Sequence, residues 1–238
     1  MYPAGNLFIP APHGRLEAIL KETRDEARGV ALVLHPHPLG GGTMHNKVVF
    51  RAASALLDAG LITLRINFRG VGRSTGEHEE GRGETEDVRV ALDYLVEHYP
   101  EKPVMLAGFS FGSRVGLEVG IRDSRVRELI SIGTPVDKYD FSFLKSCMKP
   151  ILFVHGEHDE YGQVAHLQAL AASLNAGARA RIVIIKGADH FFNGHLDELK
   201  RAITEWAKGR IQESEFRIKE KPKASFILIP FWILYSDS

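Results

Sequence analysis

The sequence predicts an α/β domain built on a mostly parallel sheet with helices on both faces. Short apolar runs bounded by glycine or proline alternate with stretches whose apolar residues recur at helical spacing. The run Gly29–Leu34 (GVALVL) is apolar throughout, as a strand buried on both faces must be. This alternation continues to Trp206 without an internal repeat or a low-complexity tract.

Residues 6–10 and 15–22 read as two opening strands joined by the turn Pro12-His13-Gly14. After the central strand Gly29–Leu34 comes a glycine-rich loop, then a helix over 46–59 that stops at Gly60, where glycine can close a helix in the left-handed conformation. Residues 61–67 form the next strand. Val88, Ala91, Leu92, Leu95 and Tyr99 mark one helical face, and Pro103 follows its end. A short strand over 104–107 leads into a helix over 111–121, and 128–132 and 151–154 are two further strands. Only the brief segment 137–149 lies between them. Val164, Leu167, Leu170, Ala171 and Leu174 make another helical face, 181–185 the last strand, and Leu196, Leu199, Ile203 and Trp206 the stripe of a closing helix.

Residues 1–212 therefore read as a single domain. Residues 213–223 are strongly charged and contain Pro222, the pattern of a linker. The run 224–235 (ASFILIPFWILY) is almost wholly apolar, but it is too short for a membrane span and Pro230 interrupts it. Left exposed, such a run is an aggregation liability, so it is expected either to be covered by the body of the protein or by a second copy in a homodimer, or to be a disordered end without a role.

Lys plus Arg and Asp plus Glu number 30 each, so no bulk charge draws the chain to nucleic acid or to an anionic membrane. The single cysteine, Cys147, rules out an internal disulfide, and a thiolate metal site needs more of them. No basic segment and long apolar run follow Met1, so a cytoplasmic location is expected.

The chemistry concentrates at Gly108-Phe109-Ser110-Phe111-Gly112, a G-x-S-x-G pattern set between an apolar strand and a helix. A serine at the tip of so sharp a turn has strained backbone, and glycine two residues to either side removes the side chains that would collide. The helix behind it aims backbone N–H groups at a developing oxyanion. The serine needs a base, and a turn of this kind is followed in chain order by an acid and then a histidine. Asp159 closes HGEHD just past strand 151–154, and His190 closes GADH just past strand 181–185. Both stand at carboxyl ends of parallel strands, the edge where ligands bind in open α/β sheets. Glu157 and Asp189 are rival acids. Asp159 could instead cap a helix starting near Tyr161.

The loop 34–42 (LHPHPLGGG) supplies the other oxyanion donor in such an arrangement, beside the amide of Phe111. Pro36 and Pro38 have no N–H, which leaves His37, with Leu39 second. His35, His37 and His45 invite a metal reading, but 35 and 37 point oppositely on an extended strand and no carboxylate is near in sequence, so no metal is expected. The glycine triplet lacks the following Gly-Lys-Ser/Thr of a phosphate loop.

With HPHPLGGGTMHNK, NFRGVGRSTG (67–76), GFSFG, HGEHD and GADHFF in succession, the chain resembles the α/β-hydrolase superfamily, and within it the small dienelactone-hydrolase-like and esterase-like proteins. The resemblance covers roughly residues 5–210. It implies a sheet of about eight strands, no cofactor, and a two-step acyl-enzyme mechanism, with Ser110, Asp159 and His190 as triad and Phe111 and His37 at the oxyanion positions. Arg69 and Ser74 match a loop that supports the site without doing chemistry. Position 110 is serine where dienelactone hydrolases carry cysteine, and the cap is minimal.

The function this implies is hydrolysis of small, short-acyl carboxylic esters. A peptidase or amidase with the same triad, and a non-catalytic binding protein on the same fold, stay open. Phe141, Phe143 and Leu144, with Phe111 and Phe191, are candidates to wall a small acyl pocket, or else ordinary core.

Overall fold

The computed structural model describes residues 5–220, with side chains through Glu213. Eight strands form one sheet: β1 (Asn6–Ala11), β2 (Gly14–Lys21), β3 (Gly29–Leu34), β4 (Leu61–Ile66), β5 (Val104–Phe109), β6 (Val126–Ile132), β7 (Ile151–Gly156) and β8 (Arg181–Ile185). Their order across the sheet is β1-β2-β4-β3-β5-β6-β7-β8. β2 runs antiparallel to β1 and to β4, and every other pairing is parallel.

Alternation along the strands divides the interior in two. Val30, Leu32, Leu34, Val104 and Leu106 face one core, which α2 (Arg82–His98), α3 (Phe111–Gly120) and Leu167 of α4 (Val164–Ala172) close. Ala31, Val33, Met105, Ala107 and Phe109 face the other, under α1 (Lys47–Asp58) and α5 (Leu196–Glu220). α1 begins where Asn46 accepts the Val48 N–H at 2.9 Å, and it ends before Gly60, whose φ is 91°.

Two helices are longer than periodicity predicts. α2 starts at Arg82 rather than near Val88, because the inward face of its first turns is polar. Glu84, fully buried, accepts the Gly81 and Glu79 N–H groups at 2.7 and 3.1 Å, and buried Asp87 takes Arg69. α5 runs to Glu220, through residues expected to be linker. The charged sequence IQESEFRIKE is made largely of good helix formers and has no proline before Pro222, so nothing stops the helix. The apolar run 224–235 lies outside the described residues, and so does any homodimer through it. Among the described residues no helix is long and apolar enough to cross a membrane.

The loop after β4 is tied down by a buried ion network. Arg69 donates to Asp87 from its backbone N (2.8 Å), Nε (3.0 Å) and NH2 (2.8 Å), and to Glu79 (2.6 Å) and Glu86 (2.7 Å). Ser74 Oγ donates to the Asn67 carbonyl at 2.7 Å and accepts the Glu17 N–H at 2.8 Å. Neither side chain reaches the Ser110 turn by any of these bonds; both hold the loop that packs beside it. Because Asp87 has no exposed surface, Arg69→Met should destabilise the protein by about 3–5 kcal/mol, the cost of a buried charge left unpaired. Urea unfolding at pH 7 measures this, and Arg69→Met/Asp87→Asn should recover part of the loss.

Candidate active site

β5 delivers Phe109 and then turns abruptly into α3, with Ser110 at the corner (φ 54°, ψ −120°). A non-glycine residue held there costs of order 1–3 kcal/mol and persists only where its surroundings over-determine it. They do so here. The Ser110 N–H donates to the Ile132 carbonyl at 2.9 Å. The Ser110 carbonyl accepts from Ser113 N (2.9 Å), Arg114 N (3.2 Å) and Ser113 Oγ (2.6 Å). A Cβ on Gly108 would lie 2.3 Å from the Gly112 carbonyl oxygen, and one on Gly112 would lie 2.4 Å from that of His35. Only glycine fits at either place.

The neighbouring strand ends are laced together at the same edge. Gly133 N donates to Val154 O at 2.9 Å, Glu157 N to Ile185 O at 3.0 Å and His158 N to Ala188 O at 2.9 Å. This lacing brings three loops to one point. His190 Nε2 lies 3.0 Å from Ser110 Oγ, and His190 Nδ1 lies 2.8 Å from Asp159 Oδ2. His190 and Asp159 are buried and Ser110 is half-buried. The second oxygen of Asp159 accepts the Tyr161 N–H at 2.9 Å, while α4 starts only at Val164, so this carboxylate ends a turn rather than capping the helix.

The rival acids are occupied elsewhere. Glu157 accepts the Gly187 N–H at 2.8 Å. Asp189 accepts the Asn193 backbone N–H at 2.9 Å and its Nδ2 at 2.5 Å; although burial pushes its carboxyl up, these bonds hold it below the usual carboxylate range. Asp189 and Asn193 thus close the loop that carries His190, and Lys47 Nζ reaches Asn193 Oδ1 from α1. Phe192 anchors that loop, fully buried beneath α1 and α5 with φ at 52°.

On the other side of the turn, Phe111 and Gly112 open α3, where backbone N–H groups have no intrahelical acceptor. The loop after β3 packs against it. His35 donates from Nδ1 to the Pro36 carbonyl at 2.7 Å and accepts the Phe68 N–H on Nε2 at 3.0 Å. Both ring nitrogens are engaged within the protein, which removes His35 from any metal set. His37 Nδ1 accepts the Leu39 N–H at 3.2 Å, so that amide is turned into its own loop and His37 is left as the loop's candidate donor. The His37 ring lies 4.9 Å from both Phe111 and His78, and burial, then the neighbouring His78, pushes its imidazole below the usual pKa. Among the described residues no cluster of His, Cys, Asp and Glu could hold a metal ion.

Residues 31–147 match the family profile described as alpha/beta hydrolase fold. An uncharacterized protein of Rickettsia prowazekii is 38% identical over 207 residues, 84% of this chain and 87% of that protein. The chain belongs to the α/β-hydrolase family. Two solved structures agree. An alpha-beta serine hydrolase homologue from Coxiella burnetii is 36% identical, with a TM-score of 0.81 over 86% of this chain and 98% of that one. A protein from Xanthomonas campestris described as an a/b serine hydrolase without lid is 31% identical, with a TM-score of 0.78 over 88% and 96% of the two chains.

Of the two readings open for the aromatic set, acyl-pocket wall or ordinary core, the structure of this α/β hydrolase favours core. Phe111, Phe141 and Leu144 are core residues, and Phe143 packs on that core under the Arg114 guanidinium; Phe191 alone of the five is substantially exposed. Sequence reasoning also missed Gly133. Its φ is 52°, and a Cβ there would lie 3.2 Å from His190 Nδ1 and Cε1, so a side chain would push the imidazole aside. A glycine directly past strand β6 was the available signal.

His35 gives the hydrolase a predictable acid weakness. Burial lowers its pKa from 6.5 to about 4, so from pH 6.5 down to about 4 the unfolded chain takes up a proton that the folded protein refuses. Stability should therefore fall over that window by about 3 kcal/mol from this residue. His35→Gln removes the term, and its stability gap to the parent, measured by urea unfolding, should narrow from pH 7 to pH 4.

Proposed function

We propose that this hydrolase is a serine carboxylesterase for small, short-acyl esters, with Ser110 as nucleophile, His190 as base and Asp159 as the acid that orients it. The observation that carries the reading is the continuous hydrogen-bonded line from Ser110 Oγ through His190 to Asp159, starting on a strained residue at a helix N-terminus. Ser110 Oγ attacks the ester carbonyl as His190 Nε2 takes its proton, and Asp159 stabilises the imidazolium without itself being protonated. The N–H groups of Phe111 and His37 hold the tetrahedral oxyanion. Collapse breaks the bond to the alcohol oxygen, which leaves protonated by His190, and the acyl group stays on Ser110 Oγ. Water, deprotonated by His190, then releases the carboxylic acid and restores the serine. No step needs a cofactor.

The size limit rests on the segment between β6 and β7. It forms a single turn of 3₁₀ helix, Ser142–Ser146, pinned to the core by Phe141 and Leu144. A description without lid applies to the Xanthomonas relative, and the same openness fits this chain. Each methylene of a longer acyl chain left in water forfeits about 0.8 kcal/mol of hydrophobic stabilisation.

Ser110→Ala should abolish turnover of p-nitrophenyl acetate and labelling by a fluorophosphonate while leaving the circular dichroism unchanged. Asp159→Asn should lower kcat by roughly three to four powers of ten, and Asp189→Asn by far less; the reverse ranking in steady-state kinetics would move the acid. Across p-nitrophenyl esters of graded length, kcat/KM should peak between acetyl and hexanoyl. A profile still rising through palmitoyl would refute the size limit.

A further inference from the structure

Three aromatic rings converge on the His190 imidazole, one beside each member of the hydrogen-bonded line. Phe109, beside Ser110, lies 5.0 Å away between ring centres. Tyr161, two residues past Asp159, lies at 4.5 Å, and Phe191, beside His190, meets it edge-on at 5.2 Å. With these rings around it the His190 side chain is only 3% exposed, while Ser110 beside it is half-buried.

Two of the three also pack on other rings or on the core, whereas the Tyr161 ring meets, besides His190, the Lys138 ammonium at 5.7 Å. Phe109 is core under α1 and α5, and Phe191 also packs on Phe109 at 6.1 Å. Tyr161 belongs to neither core cluster and is half-buried. Its backbone is nonetheless fixed on several sides. Its N–H donates to Asp159 Oδ1 (2.9 Å), the oxygen His190 leaves free, and its carbonyl accepts the Asp137 N–H (3.2 Å). The next carbonyl, of Gly162, accepts His155 Nε2–H at 2.6 Å, and a Cβ on Gly162 would lie 2.4 Å from the Thr134 oxygen. The same residue therefore holds the acid with its amide and covers the base with its ring.

We propose that Tyr161 is a positioning residue for His190. Its ring keeps the imidazole in the one rotation that turns Nδ1–H to Asp159 while Nε2 faces Ser110, and it keeps water off that face. The inference rests on the triad reading above. The ring does this work, and the phenol hydroxyl takes no part in it.

The test compares Tyr161→Leu and Tyr161→Phe in steady-state hydrolysis of p-nitrophenyl acetate and in the proton NMR spectrum of the substrate-free protein. Removing the ring should lower kcat about tenfold to a hundredfold, the scale of an ångström of misplacement, with KM changed less than about twofold. Tyr161→Phe should match the parent. The His190 Nδ1–H resonance should be sharp in the parent and in Tyr161→Phe, and broadened by exchange with water in Tyr161→Leu. Should Tyr161→Leu not fold, Tyr161→Gln takes its place. Equal losses in the Phe and Leu variants, a raised KM at unchanged kcat, or an unaltered resonance in the ring-free variant would each overturn the proposal. A parent that hydrolyses no ester refutes the esterase reading alone, since the resonance needs no substrate and still decides the role of Tyr161.

Discussion

The contact on which the site depends is the backbone approach between the Ser110 turn and the loop after β3. Gly112 lies so near the His35 carbonyl that no side chain fits between them, and Gly108 is pressed equally hard against Gly112 itself. That closeness brings the first N–H groups of α3 beside the His37 loop, so two backbone segments can face one oxyanion. It also explains why the surroundings are so heavily fastened. Asn67 accepts the Met44 N–H at 2.8 Å, Arg65 donates to the Met44 carbonyl at 2.8 Å, and His35 holds Phe68. The polar side chains buried there are spent on backbone groups that would otherwise be unpaired.

The hydrogen-bonded line proposed as catalytic obeys a different economy. Ser110, Asp159 and His190 come from far apart in the chain, yet each follows a strand, by one, three and five residues, and β5, β6, β7 and β8 are consecutive neighbours in the sheet. Strand pairing therefore sets the distances between them, and short turns set the directions. Gly133 and Gly156 permit the last approach. A Cβ on Gly156 would lie 2.6 Å from the carbonyl oxygens of Ala188 and Asp189. Chemistry of this kind needs the reacting groups held before substrate arrives, which a sheet edge does at little cost in flexibility.

Much of this was legible in the residues. Continuous apolar runs revealed strands such as β3, which is buried on both faces and wholly apolar, and G-x-S-x-G marked the sharp turn at Ser110 because its sterics demand glycine. Order along the chain then pointed to Asp159 and His190, which lie in one hydrogen-bonded line with Ser110. Periodicity failed where an inner face is polar: the start of α2 is hidden by Glu84 and Asp87, which are buried to serve backbone amides and Arg69. It failed again at the end of α5, where charge reads as linker although the residues favour helix. The engagement of Glu157 and Asp189, the inward turn of the Leu39 amide and the convergence of rings on His190 depend on which way side chains point. One sequence carries no direct signal for that.

Phe192 carries a consequence of its own. Asparagine or glycine would adopt its left-handed backbone with less strain, but neither could fill the space beneath α1 and α5. The loop behaves as a latch whose bolt is a side chain and whose spring is the backbone. While the ring is seated, His190, two residues before it, is held in register; once the ring withdraws, the backbone gains by relaxing and has no reason to return halfway. Loss of the proposed catalytic geometry should then be abrupt rather than gradual, governed by the seating of a fully buried ring.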